Sequence, residues 1–416
     1  MPELQRIASV LPDGTFNYNV MRNGIRLLGE AIEARGLAHV TLDGNDSGFQ
    51  RDLLRHLADP ATAVYLGHRF YDMGLVFSEG AGHVRRNLFE VMDRPVFAML
   101  QDHPFSRFMW QRIQFASATT HFVAPTPEFE AEARFVNPRL SHFHTVSEAA
   151  TEPAPAEAEV KPLAERPIDV FMSCSFNHTT PTVEELRQRH VAAGSPLVRV
   201  IDEVLESGIV ERDRPILQLF LGAYERHFGK PFTVSNPMTQ EDLGVMLVLS
   251  CLDLRIRLER RLKVVRALAR LDPDLRMVVT LPPAARGQVP GLTDRPNIEL
   301  IDRVPAQRAR HYYLDAKFAI NVTPTYLTYV TERLSNAMTL GCCVISDKNR
   351  YLAELFPESE EILFMDDCDP AALAPYFRAD LDKAQAIADR ARRTRTGYFA
   401  VDNLAGDLIG VMRQVL

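Results

Sequence analysis

The chain lacks several features that would place it in a broad class at once. Cysteine is scarce: five in 416 residues, an odd number with no CxxC pair. That gives no basis for a disulfide scaffold or a thiolate zinc site, and adjacent Cys342 and Cys343 in an apolar run read as reduced thiols. Long hydrophobic runs are missing too. The longest, 243–252, is broken by Gly244 and Ser250 and is far shorter than the roughly 20 residues that span a bilayer. The opening Met-Pro-Glu-Leu-Gln-Arg has no basic stretch followed by an apolar one, so no secretory signal is expected. An excess of positive charge is absent: 47 Lys and Arg stand against 54 Asp and Glu, a net −7. Neither nucleic acid nor an anionic membrane is therefore expected as a partner. No repeat at solenoid spacing is present. What remains is a globular cytoplasmic protein of two or three domains, with 46% apolar residues to fill its cores.

What is there alternates strand with helix. Residues 7–11 read as a strand, 12–19 as a turn-rich loop, and 20–35 as an amphipathic helix ended by Gly36. Further strands are expected at 39–42, 63–66, 95–100 and 120–123, with a helix from about Pro127, the rhythm of a doubly wound domain. Segment 147–167 is rich in Ala, Pro and Glu and has no aromatic residue, so it reads as a linker between a first domain, 1–146, and a second, 168–402. The second domain opens with a strand at 168–173. Residues 182–269 then read almost entirely as helix, broken around 229–237. That is longer than one strand-to-strand crossover needs, so it is taken as a helical insertion. Alternation resumes with strands at 275–281 and 298–301, a helix at 307–315, and strands at 317–322, 342–346 and 362–365. Helices from 371 and 381 follow, and Leu404, Leu408, Met412 and Leu416 recur at helical spacing in a terminal helix, 403–416.

The stretch 316–347 organises the second domain. Two apolar strands flank a helix, so they lie parallel in one sheet, and the threonine-rich loop 323–331 sits at a strand's carboxyl end, opening onto a helix amino terminus. Free N–H groups and the positive end of the helix dipole suit a phosphate there.

The sequences TERLSNAM at 331–338, LGCCVISD at 340–347 and YLAELF at 351–356 resemble the donor-binding half of GT-B glycosyltransferases. They are nearest to the CgeB-like branch of the group 1 glycosyl transferases. The resemblance implies an α/β protein with two Rossmann-like domains facing a central cleft. The first domain would take the acceptor and the second a nucleotide-diphosphate sugar, the donor substrate. No cofactor or bound metal is implied, and the terminal helix would cross back onto the first domain.

Sugar transfer needs a grip on ribose and base, positive charge or N–H donors for the departing diphosphate, and usually a base for the acceptor. Near the helix start, Glu332 is placed to accept from ribose hydroxyls and Arg333 to meet the diphosphate; the simpler reading is a favourable helix dipole and a solvated arginine. Asn336 stands where many of the resembling proteins carry a second glutamate. Among Thr323, Thr325, Thr328 and Thr331, hydroxyls can bind phosphate or cap the helix, and Thr325 and Thr328 are the preferred pair. Tyr326 or Tyr329 can stack on a base or pack on the sheet. Arg255, Arg257, Arg260, Arg261, Lys263, Arg266 and Arg270 make a basic helix that reads first as a solvated face. Arg257 and Arg261, one turn apart, are its candidates for phosphate. The Asp-x-Asp of Asp367 and Asp369 is read as loop rather than metal site. On the acceptor side, Asp102 and His103 follow the strand at 95–100; a histidine titrates near neutrality and can take a hydroxyl proton. The alternative is that the pair shapes the loop before Pro104. His178, in the loop after the second domain's first strand, is a donor-side candidate, whereas His142 and His144 look structural or exposed. Asp13 is the remaining candidate base.

The expected function is therefore sugar transfer from a nucleotide-diphosphate donor to a glycan, protein or small-molecule acceptor. A non-catalytic nucleotide-sugar-binding protein of surface or coat assembly, and a sugar-nucleotide epimerase, are the alternatives.

Overall fold

The computed structural model describes residues 3–11, 20–67, 74–79, 82–150, 152–173, 181–271, 274–287, 292–293, 295–302, 306–365 and 374–416. The chain forms two compact units. The first comprises Met1–Thr151, Thr233–Leu247 and Ala400–Leu416, the second Glu152–Phe232 and Val248–Phe399.

In the first unit, β1 (Arg6–Leu11), β2 (Ala38–Asp43) and β3 (Thr62–Leu66) are followed by a hairpin, β4 (Gly74–Glu79) and β5 (Gly82–Asn87). Strands β6 (Val96–Met99), β7 (Thr120–Ala124) and β8 (His142–Thr145) complete the set. The hairpin is antiparallel, while the other six make a parallel sheet in the order β2-β1-β3-β6-β7-β8. The central strands β3, β6 and β7 are buried along their whole length, as a parallel sheet covered on both faces requires. Helix Val20–Ala34 presents Leu28 and Ile32 to this sheet, and helix Val401–Val415 adds Leu408, Ile409 and Met412 to the same core. Asp402 pairs with Arg35 and Asp407 accepts from the Ser147 amide, so the terminal helix is pinned at two points.

The second unit contains β9 (Ile168–Met172), β10 (Met277–Thr280), β11 (Ile298–Ile301), β12 (Ala316–Asn321), β13 (Cys343–Asp347) and β14 (Leu363–Met365). Its sheet is parallel with the order β11-β10-β9-β12-β13-β14. Numbered within the unit this is 3-2-1-4-5-6, the doubly wound order in which ligands bind where the order reverses. The reversal falls between β9 and β12, where Phe318 pairs with Val170.

Between β9 and β10 run helices Val183–Ala192, Leu197–Val210, Ile216–Phe228 and Gln240–Leu271. The expected break at 229–237 begins at Gly229, whose φ of 68° closes the third of these helices in the left-handed conformation that glycine adopts without strain. Gly341, between helix Glu332–Thr339 and β13, has φ 75°, and a Cβ there would stand 2.9 Å from Val160 Cγ1 and 3.1 Å from Arg166 Nη2. The glycine of the LGCCVISD motif thus answers to both backbone conformation and space.

The Ala, Pro and Glu-rich segment is held closely along the second unit from Glu152 onward. Leu163 is fully buried, and its amide donates to Gln385. Buried Arg166 donates to the carbonyls of Lys161, Tyr313 and Ala316, while Glu157 pairs with Arg392 and Glu159 with Arg310. Composition reads as a linker, and within it Leu163 and Arg166 are anchored in the second unit.

His142 and His144 lie on β8, a strand whose polar sequence hid it. His121 on β7 pairs in register with His142, its ring stacked at 4.3 Å, and its Nδ1 is 3.1 Å from His144 Nε2. Burial pushes His121 down to about 4, and its two histidine neighbours act in the same direction. The unfolded chain takes up this proton near pH 6.5, whereas the folded chain refuses it until about 4. The first unit is therefore expected to lose stability as pH falls through that window. Urea midpoints measured from pH 7 to 4 check this. A His121→Gln variant should show a shallower decline, and an identical decline would remove His121 as its source.

Candidate functional site

The ring of polar residues at the carboxyl end of β12 begins inside the sheet. Asn321, the last residue of β12, is buried; its Nδ2 donates to Ser346 Oγ on β13 at 2.9 Å, and its Oδ1 accepts from Thr331 Oγ1 at 2.8 Å. Thr331 in turn caps helix Glu332–Thr339, its Oγ1 accepting from the Leu334 amide. One hydroxyl thereby joins strand end to helix start and fixes both ends of the loop between them. This arrangement satisfies buried polar groups that would otherwise be costly.

Two buried carboxylates hold the loop's interior. Asp347, at the end of β13, accepts from the Thr323 amide at 2.6 Å and from the Thr323 hydroxyl, and its other oxygen pairs with Arg212. Asp253, on the long helix Gln240–Leu271, accepts the Thr325 hydroxyl and a two-pronged contact from Arg257, Nε to Oδ1 at 3.0 Å and Nη2 to Oδ2 at 2.9 Å. Arg257 Nε also lies 3.3 Å from Thr325 Oγ1, and its guanidinium carbon sits 4.8 Å above the centre of the Tyr326 ring. Tyr326 is buried and meets Tyr329 edge-to-face at 5.4 Å.

These contacts place the expected donor-side residues. Since a carboxylate only accepts, the proton of the Thr325 hydroxyl points at Asp253, and this threonine orders the loop. One face of Tyr326 is covered by Arg257. Thr328 is half-buried. Glu332 and Arg333 occupy the first turn of their helix, with Arg333 Nη1 3.4 Å from Glu332 Oε1. Asn336 is buried, and its Oδ1 accepts from the Glu152 amide. Of the basic helix, Arg255 pairs with Glu259 at the surface, while Arg260 and Arg261 are buried rather than solvated. Arg260 donates to the carbonyls of Gly208 and Glu211, and with Arg212 and Arg214 it lines a small pocket beside Thr325 and Leu327.

Tyr313, in helix Ala306–Asp315, carries no local sequence signal that marks it as part of a site. Burial pushes its phenol above the ordinary range, the Arg333 charge opposes this, and Glu332 adds to it. It packs edge-on against Phe171 of β9 at 4.9 Å, so it stands where the sheet order reverses. Cys342 beside it is pushed up to about 11 by burial and donates to the Tyr313 carbonyl.

In the first unit, His103 follows β6 and is fully buried. Both carboxylate oxygens of Glu132, on helix Glu128–Val136, lie 2.8 Å from its Nδ1. The ring stacks on Phe105 at 4.4 Å and meets the edge of Phe129. The carboxylate that faces His103 is thus Glu132, 29 residues away, while neighbouring Asp102 is half-buried. His178, Asp13, Asp367 and Asp369 lie outside the described residues. Among the described residues no group of three or more His, Cys, Asp or Glu is arranged to hold a metal ion, Cys251, Cys342 and Cys343 are reduced cysteines outside any disulfide, and no helix is long and apolar enough to cross a membrane.

Residues 260–409 match the glycosyl transferase-like family model. No curated protein matches the chain. Among solved structures, the HepE protein of Anabaena in complex with UDP and glucose is similar at 10% identity and a TM-score of 0.51, covering 99% of this chain and 100% of that one. Sucrose-phosphate synthase from Thermosynechococcus elongatus is similar at 12% identity and a TM-score of 0.50, covering 99% and 98%. At such identities the likeness establishes the fold: two parallel doubly wound sheets of GT-B type. The family match, over 260–409, is to a glycosyl transferase-like domain.

Asp347 links the end of β13 to both the loop and Arg212. Replacing it with alanine leaves Arg212, 10% exposed in its side chain, without its carboxylate and the Thr323 amide without an acceptor. Breaking a buried pair in this way costs about 3–5 kcal/mol. Urea unfolding of Asp347→Ala should show a loss of that size. A loss under about 1 kcal/mol would mean the pair is screened by solvent.

Proposed function

We propose that this glycosyltransferase moves a sugar from a nucleoside diphosphate donor held by its second unit, without a bound metal ion, to an acceptor still to be identified. One observation carries the donor reading. The loop 322–331 leaves β12 where the sheet order reverses, and it opens onto the amino terminus of helix Glu332–Thr339 with Arg333 in its first turn and Arg257 against Tyr326. A helix start and two guanidinium groups supply the positive potential that a leaving diphosphate needs, which is the role a metal ion plays elsewhere. Glu332 is proposed to accept from ribose hydroxyls. HepE has been crystallised with UDP and with UDP-glucose, which makes UDP the first ligand to try here. The motifs at 331–356 favour the CgeB-like branch as the finer family placement, and the reduced cysteines suit a cytoplasmic setting.

On the acceptor side we propose His103 as the base, with Glu132 behind its Nδ1 to hold the proton there and leave Nε2 as the basic nitrogen. A second reading has its own support: His103 has no exposed surface, which favours a role in fixing the loop after β6.

Incubation with nucleotide sugars and candidate acceptors in EDTA tests the activity. Acceptor-dependent release of nucleoside diphosphate supports transfer without metal. Rescue of a dead reaction by Mn²⁺ or Mg²⁺ counts against metal independence, and interconversion of the sugar without an acceptor would reveal an epimerase. In the same assay His103→Ala should lower kcat by about 10²-fold or more while nucleotide affinity holds; near-normal turnover would make His103 structural.

For the donor grip, Arg333→Ala should weaken nucleoside diphosphate binding by about 1.5–3 kcal/mol, the range of a charge-assisted hydrogen bond. Calorimetry reads this directly, and unchanged affinity takes Arg333 out of the site.

A further inference from the structure

The helices between β9 and β10 exceed what a crossover needs, and nothing so far gives them a task. Their contacts with the loop after β12 supply one. Asp253 and Arg257 stand one turn apart on helix Gln240–Leu271, and the third partner, Thr325, comes from 72 residues further on. Asp253 is 3% exposed in its side chain and Arg257 11%, so water screens the pair little. The Arg257 guanidinium is gripped along one edge by the carboxylate and supported on its face by Tyr326. A flexible arginine is thereby held in one orientation against the loop.

By charge alone, Asp253 is misplaced. A buried carboxylate beside an anion site repels the diphosphate that Arg257 attracts, so its contribution to binding must come through geometry. We propose that Asp253 is a positioning residue of the donor site, through which the inserted helix aims Arg257 and the 323–331 loop at the diphosphate of a nucleotide donor. The inference rests on the donor reading above. It assigns the insertion a role in telling a nucleoside diphosphate from an uncharged nucleoside.

Geometry and charge predict opposite signs, and this makes the experiment decisive. Asparagine keeps the size of Asp253 but offers Arg257 one acceptor and one opposing N–H₂ group in place of two acceptors. Calorimetry on the full chain would first find which of UDP, GDP, ADP, CDP and dTDP the wild type binds most tightly. Asp253→Asn should then weaken that diphosphate tenfold or more, leave the affinity of the matching nucleoside within about twofold, and weaken it no further in an Arg257→Ala background. Diphosphate affinity that is unchanged or higher in Asp253→Asn overturns the inference, because relief of repulsion would then be the whole effect. Should that variant fail to fold, Thr325→Val, which keeps the Asp253–Arg257 pair and removes its link to the loop, decides instead. Several-fold weaker diphosphate binding supports positioning, and affinity within twofold of wild type overturns it. If the wild type binds none of the five diphosphates, the donor reading itself falls and this inference with it.

Discussion

Burial of polar chain at the carboxyl end of a parallel sheet is the constraint on which the second unit's loop depends. The loop after β12 lies against the sheet with Thr323, Thr325 and Thr331 buried, so its amides and hydroxyls cannot turn to water. Asn321, Asp253 and Asp347 meet that need, one at each turn of the chain. A carboxylate accepts several bonds at once, and that capacity lets two side chains organise nine residues of loop. Each carboxylate needs a cation to be stable in such surroundings, and each has an arginine from an inserted helical segment, Arg257 or Arg212.

This pairing ties the fold to the proposed chemistry. A loop meant to receive a diphosphate must hold its N–H groups in place before the ligand arrives, since reordering them on binding would consume affinity. The bonds to Asp253 and Asp347 supply that order. They also account for the inward turn of Thr323, Thr325 and Thr331, whose hydroxyl protons go to Asp347, Asp253 and Asn321, while the positive end of the helix is left for the proposed anion. The first unit repeats the device once, with Glu132 reaching from its helix to His103. The partner in the first unit is remote, 29 residues from His103, whereas in the second unit Arg257 has Asp253 four residues before it and Thr325 68 residues after it.

Much was legible without coordinates. The parallel α/β architecture followed from strands too apolar to be half-exposed, at spacings filled by helices, and the second unit's β9, β12 and β13 lie within two residues of where periodicity put them. Gly341 and Thr331 stood in quoted motifs, and the structure gives each a physical reason, a positive φ in one and a cap in the other. Asp253 was readable in part, since it lies four residues before Arg257. Strand β8 was hidden because histidine and threonine alternate with a single phenylalanine, and a strand of that composition shows no apolar face.

The sequence by itself determined local order: which segments are strand or helix, that the strands run parallel, and that a loop rich in threonine opens onto a helix amino terminus. Those properties depend on residues a few positions apart, which periodicity and capping report directly. Which distant group each carboxylate meets was decided by tertiary structure alone. Glu132 rather than Asp102 meets His103, Asp253 holds Thr325 from 72 residues away, and Asp347 draws in Arg212 from 135 away. Such pairings follow from the path of the chain between sheets and helices, and no local pattern encodes them. The same holds for the segment after residue 151, where composition described a spacer and two buried side chains, Leu163 and Arg166, made it part of the second unit.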